Sequence, residues 1–496
     1  MKDIFEKERE IFKVEEIEGE PVETREYDIV VVGAGTPGVP CALKAAELGA
    51  KVCVIQKEKE ASACGHIGVG IDFEKSNKKD LAKLISIFLK ESDLRPNKEL
   101  YEMYVENSGE ALEWLIEKSK EAGAGISSLG NGPHKKFMKD NDLDLDFVTA
   151  FYGPKPYDAG EAMKDLSKLA EAKGVDFYYN TPAIKLIKEG NRVVGVYGKS
   201  DKGVIEFRAK NGVAIGTGDY QNDEQMKSHY IPAVLNLETK KFGRSGDGHK
   251  MIIDAGGHME LIGHTKMVHD MDAGPSSNMQ APLLRVKLNG KRFCNEENGM
   301  EYMNCFLLDE KNSGHYAEIF DANYLENAEE WGFNLAKIDE LKKYMPEEDA
   351  DREGVLIDLI KTFKADTLEE LAEKLEIKDK EEFKKTIARY NEMAKNQEDT
   401  EFGKDAKYLY PIENPPYYGT HRHLRLTMIC SGIEVDGNLR PLDDDMRPIE
   451  GVYAIGNLAG NFYGSYDYPL TLSGLNLGHN YTQGYVIGKR LAQNTH

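Results

Sequence analysis

Three closely spaced glycines are the first residues in this 496-residue sequence whose types suggest chemistry. Gly33, Gly35 and Gly38 form a G-x-G-x-x-G pattern directly after the apolar run YDIVVV. The first glycine permits a tight turn, the second lets backbone approach a pyrophosphate, and the third lets a helix pack closely. The N–H groups that begin this helix carry partial positive charge toward the phosphates. The pattern predicts a dinucleotide site, and the alternative is a plain glycine-rich turn.

The residues around these glycines predict the elements that position them. YDIVVVG (27–33) has the composition of a buried strand, residues 36–49 have helical spacing, and KVCVIQK (51–57) is a second strand. This β-α-β unit predicts an α/β fold with a Rossmann-like domain. A similar strand returns at 451–461 and a last helix is expected at 473–492. A ligand contacted from both ends of the chain would be long and enclosed, which favours FAD over NAD.

The end of the second strand departs from the usual pattern for binding a ribose. An acidic residue is expected about 20 residues after the glycines, to hold the ribose hydroxyls. Gln56 stands there, followed by Lys57 and Glu58. A glutamine amide can accept a hydrogen bond from a hydroxyl, although less strongly than a carboxylate. We therefore assign Gln56 to the ribose, with Glu58 as the alternative.

Charge and composition exclude several classes of protein. The chain has 64 Lys and Arg against 86 Asp and Glu, so its net charge of −22 disfavours nucleic-acid binding. No apolar run reaches roughly the 18 residues of a membrane-spanning helix, and the charged N-terminus does not resemble a signal peptide. The six cysteines contain no C-x-x-C pair, so we expect no metal centre and no disulfide framework. We expect a cytoplasmic protein.

A change in composition predicts a second domain. Charge rises between about 265 and 404, and helical segments appear at 366–377 and 380–396. Glycine-rich strand and turn character returns after Tyr417. We therefore expect a discontinuous cofactor-binding domain at 1–264 and 405–496, with an inserted domain at 265–404.

Segments spread through the whole chain resemble one family. The sequence is similar to soluble flavoproteins related to the fumarate reductase and succinate dehydrogenase flavoprotein subunit, a group that includes 3-ketosteroid dehydrogenases. The similar segments include YDIVVVGAGTPG, ASACGHIGVGI, GVAIGTGDYQNDEQM, GRSGDGHKMIIDAGG, NGKRFCNEENG, YLYPIENPPYY and GVYAIGNLAGNFYG. The resemblance implies FAD held between the Rossmann-like domain and a mobile capping domain at 265–404. It also implies non-covalent FAD, because Ala63 stands where membrane-complex relatives carry the attaching histidine.

The resemblance further implies a set of cofactor-binding residues. It places Gln56 and Lys57 at the adenosine ribose, and Leu475, Asn476 and Leu477 at the start of the last helix, under the flavin pyrimidine. There a helix N-terminus would stabilise negative charge on the reduced ring. The other positions it implies are Gly33, Gly35 and Gly38 at the pyrophosphate, Ala63, Cys64, Gly65 and Gly70 beside the isoalloxazine, Ala183 at the adenine, Thr217, Gly218 and Asp247 along the cofactor, and Asn457 at the ribityl chain.

Departures from the family pattern narrow the substrate. The dicarboxylate enzymes carry a late arginine where this chain reads GSYDYPLTLSGLNLGHN (464–480), so fumarate or succinate is not expected. Tyr468-Pro469 instead resembles the Tyr-Pro of 3-ketosteroid dehydrogenases, whose tyrosine takes part in proton transfer. A phenol is protonated at neutral pH and can donate a proton or a hydrogen bond. A packed aromatic cluster without a proton role is the alternative.

Four further residues complete the expected catalytic set. The Gly474 N–H and the hydroxyl of Tyr466, with Tyr463 as the alternative, would hold the carbonyl oxygen of the substrate, whose negative charge grows during reduction. His264 and Arg425 lie near family substrate histidines, and Arg425 could hold an anionic group; the alternatives are a structural histidine and a solvent-facing arginine.

These residues predict an FAD-dependent oxidoreductase with a small-molecule substrate. The expected reaction reduces or forms a C=C bond conjugated to a carbonyl, for example in a 3-ketosteroid or similar bulky enone. Hydride would transfer at flavin N5, with Tyr468 as proton donor. The alternative substrate is an unsaturated carboxylic acid of the acrylate, urocanate or fumarate type. A flavoprotein electron carrier and a plain NAD dehydrogenase are the remaining alternatives, and a separate electron donor is expected.

Overall fold

The structure is a computed structural model, and it divides the chain into two units that are described separately. It describes residues 2–239, 243–269, 273–279, 281–308, 314–353, 355, 357–464, 467–469 and 472–494. The first unit comprises Met1–Ile231, Lys241–Lys266 and Met428–His496, and the second comprises Pro232–Lys240 and Met267–Thr427.

The helices and strands follow in chain order. The helices are α1 (Lys2–Ile11), α2 (Gly38–Glu47), α3 (Lys78–Glu91), α4 (Lys98–Glu121), α5 (Lys135–Asp140), α6 (Ala159–Ala172), α7 (Glu224–Tyr230), α8 (Asp247–Asp254), α9 (Met300–Met303), α10 (Tyr324–Trp331), α11 (Ile338–Leu341), α12 (Leu368–Lys374), α13 (Lys380–Asn396) and α14 (Leu475–Gln493). The strands are β1 (Glu23–Val32), β2 (Val52–Ile55), β3 (Ile67–Ile71), β4 (Ile126–Ser128), β5 (Phe147–Tyr152), β6 (Asp176–Tyr178), β7 (Ala183–Glu189), β8 (Arg192–Ser200), β9 (Gly203–Ile215), β10 (Lys266–His269), β11 (Leu284–Lys287), β12 (His315–Phe320), β13 (Thr362–Ala365), β14 (Tyr417–His423), β15 (Arg425–Ile429) and β16 (Val452–Ala454).

A largely parallel sheet forms the centre of the first unit. Its strand order is β6-β2-β1-β9-β8-β7, and β16 also pairs with β9. β1 runs parallel to β2 and to β9, with Val31 opposite Val54 on one side and Ala214 on the other. The last residues of β1 and all of β2 are buried, as expected for strands covered on both faces. The α/β fold and the β-α-β unit expected from residues 27–57 are confirmed.

The last helix, α14, packs inside the first unit. It contacts α2, α4 and β3, and nearly all of its residues are buried. A Cβ added at Gly484 would overlap with the carbonyl oxygen of Pro37, at the start of α2. Glycine at this position therefore lets α14 approach α2 closely.

The second unit is built on a different sheet. Its antiparallel strands follow the order β11-β12-β14-β13, and α12 and α13 contribute side chains to a core shared with this sheet. Arg292 forms buried ion pairs with Glu296 at 2.8 Å and with Asp399 at 2.7 Å. Each of these charges has a close opposite charge, which offsets part of the cost of removing it from water.

The bounds of the second unit differ from the segment 265–404 expected for the inserted domain. The unit extends to Thr427 and includes Pro232–Lys240. The reason is β14, which pairs with both β12 and β13 and so belongs to this sheet although it lies after residue 404. A mobile capping role for this domain stays a prediction.

Within the described ranges, no helix combines the length and the apolar composition that crossing a bilayer requires.

Candidate active site

A cleft lies at the carboxyl ends of the parallel strands of the first unit. Its volume is about 930 Å³, which includes open solvent at its mouth. Val32, Ile55 and Gly216, at or just after the ends of β1, β2 and β9, contribute to its wall. Open parallel sheets bind ligands at this edge because loops and helix N-termini gather there. The cleft is lined by residues 32–37, 55–58, 62–64, 182–183, 216–218 and 243–244, and by Asp247, Met251, Met428, Asn457, Asn476, Leu477 and Asn480.

The glycine loop forms one end of this wall. Gly33 has a φ of +100°, a conformation that favours glycine, and its N–H donates to the carbonyl of Ile55 at 2.8 Å. A Cβ at Gly33 would lie 2.6 Å from the oxygen of Gly216, and one at Gly38 would overlap with the oxygen of Gly33. Gly33 and Gly35 line the cleft, whereas Gly38 begins α2 behind it. The loop thus brings backbone to the cleft surface at the start of a helix.

Gln56, Lys57 and Glu58 follow β2 and all line the cleft. The Gln56 side-chain amide donates to the carbonyl of Glu60 at 3.1 Å, which orients the amide and leaves its oxygen as an acceptor. Lys57 Nζ lies 2.8 Å from a carboxylate oxygen of Asp247, another residue expected to lie along the cofactor. The structure therefore keeps both Gln56 and Glu58 as candidates for the ribose.

Arg244 is a cleft residue that the sequence analysis did not single out. Its guanidinium donates to Cys64 Sγ at 2.8 Å and to the carboxylate of Asp219 at 3.3 Å. Burial disfavours the charged form, but the contacts with Cys64 and Asp219 raise the pKa of Arg244 further above its ordinary value. In the sequence, Arg244 appears as a single arginine in the glycine-rich segment GRSGDG. That pattern does not show which way the side chain points, so it did not identify Arg244 as a cleft residue.

Side-chain amides line the region where α14 begins. Asn476 and Asn457 are joined by a hydrogen bond of 2.9 Å, and the Asn480 amide donates to Asn476 at 3.3 Å. All three side chains line the cleft together with Leu477. The N–H groups of the first turn of α14 carry partial positive charge, which would favour a ligand that gains negative charge.

Two buried acceptors support a polar ligand in this cleft. Thr217 Oγ1 and Asn480 Oδ1 have no hydrogen-bond partner among the described residues. Buried polar atoms normally have a partner, so such atoms beside a cleft mark positions for ligand groups. The glycine loop, the ribose acceptors, Arg244 and the amides together fit the phosphate, sugar and ring parts of FAD. Gly33, Gly35, Gln56, Thr217, Arg244, Asn457 and Asn476 would hold it.

Ala63, Cys64, Ala183 and Gly218 also line the cleft, but Gly65, Gly70 and Leu475 do not. A Cβ at Gly65 would lie 3.1 Å from Leu477, a residue of the cleft wall. Gly70 lies in β3, where a Cβ would overlap with the backbone of Ser108 in α4. Leu475 is buried at the first position of α14. These three residues shape the packing behind the cleft.

A chain of buried aromatic side chains begins at Tyr468. The Tyr468 hydroxyl accepts a hydrogen bond from the backbone N–H of Asn476 at 3.1 Å. Tyr463 packs edge-on against Tyr468 with 5.3 Å between ring centroids, and its hydroxyl lies 3.3 Å from His479 Nδ1. Burial raises the pKa of both phenols and lowers the pKa of His479 to about 3. Two protonated phenols and a neutral imidazole therefore adjoin the start of α14.

The remaining expected catalytic residues occupy separate places. His264 is buried against Tyr220, which hydrogen-bonds its Nδ1, and against Tyr230, which stacks on its ring at 4.9 Å. His264 does not line the cleft, and burial lowers its pKa to about 4. Arg425 begins β15 and belongs to the second unit. Gly474 precedes α14 with a φ of +91°, and Tyr466 lies outside the described residues.

Known proteins resemble this chain over nearly its whole length. It is 26% identical to the vinyl phenol reductase of Lactiplantibacillus plantarum, over 95% of this chain and 97% of that protein. It is 24% identical to the 3-oxosteroid 1-dehydrogenase of Mycolicibacterium smegmatis, over 94% and 97% respectively. The open conformation of a flavocytochrome c3 fumarate reductase superposes with a TM-score of 0.71 at 22% identity, over 96% of this chain and 79% of that one. That likeness shows a shared fold.

A sequence model of the FAD binding domain matches residues 28–469, which is most of the chain. The match includes the glycine loop, the second unit and Tyr468. The resemblance to fumarate reductase-like flavoproteins and 3-ketosteroid dehydrogenases is therefore confirmed, as is FAD as the cofactor. The chain belongs to the FAD binding domain family.

Proposed function

We propose that this protein, an FAD-dependent oxidoreductase that acts on CH–CH bonds, reduces or forms a C=C bond conjugated to a carbonyl group. The proposed substrate is neutral and bulky, such as a 3-ketosteroid, and Tyr468 is the proposed proton donor. The observation that carries the proposal is the hydrogen bond from the Asn476 N–H to the Tyr468 hydroxyl, at 3.1 Å. Asn476 lines the cleft, so this phenol lies one residue behind the cleft wall.

The environment of Tyr468 keeps its phenol protonated and orients it. Burial raises its pKa above the ordinary value of about 10, so the phenol keeps its proton at neutral pH. Because the Asn476 N–H occupies one lone pair of the hydroxyl oxygen, the O–H bond is directed elsewhere. The Tyr463 ring packs edge-on against that of Tyr468, and the Tyr463 hydroxyl lies 3.3 Å from His479 Nδ1.

FAD, when bound, supplies hydride transfer to or from carbon. The chain's own residues orient the reacting groups and balance their charge. Gly33 and Gly35 present backbone to the diphosphate, and the partly buried Arg244 guanidinium adds a positive charge beside Cys64. The first N–H groups of α14 stabilise negative charge that develops near them. We keep the Gly474 N–H as the proposed donor to the substrate carbonyl; a Cβ there would lie 3.2 Å from the backbone of Gly68.

An unsaturated carboxylic acid is the alternative substrate, and it needs a cationic clamp. The expected clamp was Arg425 with His264. Because burial lowers the pKa of His264 to about 4, its imidazole is neutral at pH 7 and adds no charge. Arg425 would be left to hold the carboxylate, so the charge balance favours the neutral enone.

A conjugated alkene of the vinylphenol type is a second candidate. It is favoured by the similarity to vinyl phenol reductase, which extends over 95% of this chain. Such a substrate is neutral and aromatic, and its C=C bond is conjugated to a ring rather than to a carbonyl. The same proton donor would serve, because reduction still requires one proton at carbon.

We further propose that electrons come from a separate reductase or a reduced carrier. The sequence contains one G-x-G-x-x-G unit, and we assign that unit to FAD. A second dinucleotide such as NADH would need a site of its own.

Anaerobic reoxidation of the chemically reduced protein tests the proposed substrate class. We expect 3-ketosteroid enones to reoxidise the flavin fastest, followed by vinylphenols, with urocanate and fumarate slow. The measurement is the return of oxidised flavin absorbance in a stopped-flow instrument. Reoxidation by urocanate or fumarate alone would replace the enone proposal with the carboxylic-acid alternative.

Tyr468→Phe tests the proton donor. We expect turnover to fall by about 10²- to 10⁴-fold, the usual contribution of general acid catalysis, while flavin content stays the same. Tyr152→Phe is the matched control, because Tyr152 is buried in the same unit and its hydroxyl has no hydrogen-bond partner among the described residues. If Tyr468→Phe retained full flavin and full turnover, Tyr468 would have no role in proton transfer.

A further inference from the structure

We propose that His315, His423 and Glu238, all in the second unit, form a binding site for a divalent transition-metal ion of the zinc type. Their ligand atoms lie within 4.8 Å of one another. The three residues do not line the cleft, and the proposal does not depend on the proposed reaction.

The sheet of the second unit brings the two histidines together. His315 begins β12 and His423 ends β14, and the antiparallel register places them directly opposite each other. Residues directly opposite in neighbouring strands project to the same face, with Cβ atoms about 4.5–5.5 Å apart. The two imidazoles stack with 3.8 Å between centroids. The backbone thus holds both rings at one point on the sheet.

Glu238 supplies the carboxylate from another part of the chain. The backbone N–H of Leu426 donates to the Glu238 carbonyl at 2.8 Å, which holds this segment beside the end of β14. The Glu238 carboxylate lies 3.6 Å from His423 Nε2, a distance too long for a hydrogen bond. His423 Nε2 is buried and has no hydrogen-bond partner among the described residues. A metal ion would give this nitrogen a partner.

Side-chain rotation would bring the three ligands to an ion. Zinc lies about 2.0–2.2 Å from nitrogen and oxygen ligands, which places neighbouring ligand atoms about 3.4 Å apart in tetrahedral geometry. The Glu238 side chain is 67% exposed and can rotate toward the histidines. The rings must turn out of their stacked arrangement to direct their nitrogens at one point.

A third histidine supports the proposed ligands from behind. His421 Nε2 lies 3.0 Å from His315 Nδ1, and His421 Nδ1 lies 3.9 Å from the carboxylate of Glu376. In the tautomer in which His315 Nδ1 donates to His421, His315 Nε2 is left as a metal ligand. Hydrogen bonds of this kind orient metal-binding histidines and raise their basicity.

Charged side chains of both signs surround the cluster. Imidazoles bind a metal ion in their neutral form, so Glu238 is the charged ligand of the proposed set. Glu238 and Glu376 contribute negative charge, whereas Lys361, Lys378 and Arg425 contribute opposing positive charge.

The donor set identifies the class of metal. Two imidazoles and one carboxylate suit zinc, cobalt or nickel, whereas calcium and magnesium prefer oxygen ligands. Three protein ligands leave a fourth position for water. Bound metal would cross-link β12, β14 and the segment that carries Glu238.

The test uses tag-free, FAD-loaded full-length protein that has been treated with EDTA and dialysed. Titration with Zn²⁺ in a calorimeter should show one equivalent bound, and Co²⁺ should give visible absorption bands of a tetrahedral site. We expect Glu238→Gln and His423→Ala to weaken Zn²⁺ binding by more than about tenfold, and His421→Gln to weaken it by about 10- to 100-fold. His229→Ala, at an exposed histidine of the first unit, should leave binding unchanged.

Flavin content and thermal unfolding without metal show whether each variant is folded. Because Glu238 is exposed, Glu238→Gln should stay folded even if His423→Ala does not. Absence of any Zn²⁺ binding by the wild-type protein would overturn the proposal. Equal affinities of the wild type and Glu238→Gln would also overturn it. Neither result would bear on the proposed reaction, which is measured separately by flavin reoxidation.

Discussion

At the scale of single residues, Arg244 places a positive charge in the wall of the cleft. It contacts Cys64 at 2.8 Å and Asp219 at 3.3 Å, and it lines the same wall as Thr217. Asp219 has no exposed surface, and burial raises the pKa of its carboxyl group. The arginine compensates a buried carboxylate, and we expect it also to offer positive charge to the anionic cofactor.

Arg244→Gln should weaken FAD binding. We expect the FAD dissociation constant to rise by about 10- to 100-fold, because a hydrogen bond to a charged group is worth about 1.5–3 kcal/mol. The apoprotein should also lose stability, because Asp219 would keep its burial and lose its ion pair. Quenching of flavin fluorescence measures the affinity, and urea unfolding measures the stability.

Arg208→Gln is the control for this substitution. Arg208 lies in β9 and pairs with Glu189 and Glu206 away from the cleft wall. We expect its FAD affinity to match that of the wild type. Equal affinities of Arg244→Gln and the wild type would show that the guanidinium serves only Asp219.

At the scale of elements, α14 links the cleft to the core of the first unit. Its first turn carries Asn476 and Leu477 to the cleft wall, and its middle packs on α2, which follows the glycine loop. Gly484 permits this contact, since a Cβ would overlap with the oxygen of Pro37. A displacement of α14 would therefore move both the glycine loop and the amides that line the cleft.

Gly484→Ala should destabilise the protein although alanine favours helices. We expect a loss of about 1–3 kcal/mol from overpacking, which exceeds the gain of about 1 kcal/mol in helix propensity. FAD affinity should fall as well, because α2 begins at the glycine loop. Urea unfolding of the FAD-free and FAD-loaded forms measures both effects.

Gly132→Ala provides the comparison. Gly132 is exposed, and a Cβ there would have no atom within 4 Å. The free energy of unfolding of Gly132→Ala should stay within about 0.5 kcal/mol of the wild-type value. A Gly484→Ala protein as stable as Gly132→Ala would mean that α14 and α2 can separate without cost.

At the scale of the whole molecule, net charge affects which substrates approach. The chain carries −22 at pH 7, a charge that repels anions over about the 10 Å screening length at 0.1 M salt. A neutral enone or vinylphenol is not subject to this repulsion. The net charge of the protein therefore affects how often a substrate reaches it. This effect separates anionic acids from neutral enones and vinylphenols, whichever residues line the site.

Ionic strength should separate the candidate substrates. For fumarate or urocanate, we expect kcat/KM to rise with added salt, because screening weakens the repulsion by the protein. For a neutral enone, kcat/KM should stay constant over the same range of salt. Steady-state rates with one electron donor throughout give this comparison.

A fall in kcat/KM for the acids with added salt would contradict this expectation. It would mean that local cations outweigh the net charge, and it would favour a clamp that includes Arg425.

Residues close together in the chain were predictable. Gly33, Gly35 and Gly38 lie within six positions of one another, between a strand and a helix whose patterns are local. Backbone sterics and hydrophobic periodicity act over such short distances, so the β-α-β unit follows from the sequence. The bounds of the second unit were harder to predict, because the pairing of β14 with β12 joins residues about a hundred positions apart.

The sequence by itself therefore determined the α/β fold, the glycine loop and the dinucleotide cofactor. Only the tertiary structure decided which side chains meet. Arg244 contacts Cys64 across 180 positions, and His315 lies opposite His423 only because of the register of their strands. The charge of a side chain follows from its residue type, but the residues that it contacts depend on the tertiary fold. For that reason, the contacts of Arg244 and the histidine cluster appeared only in the structure.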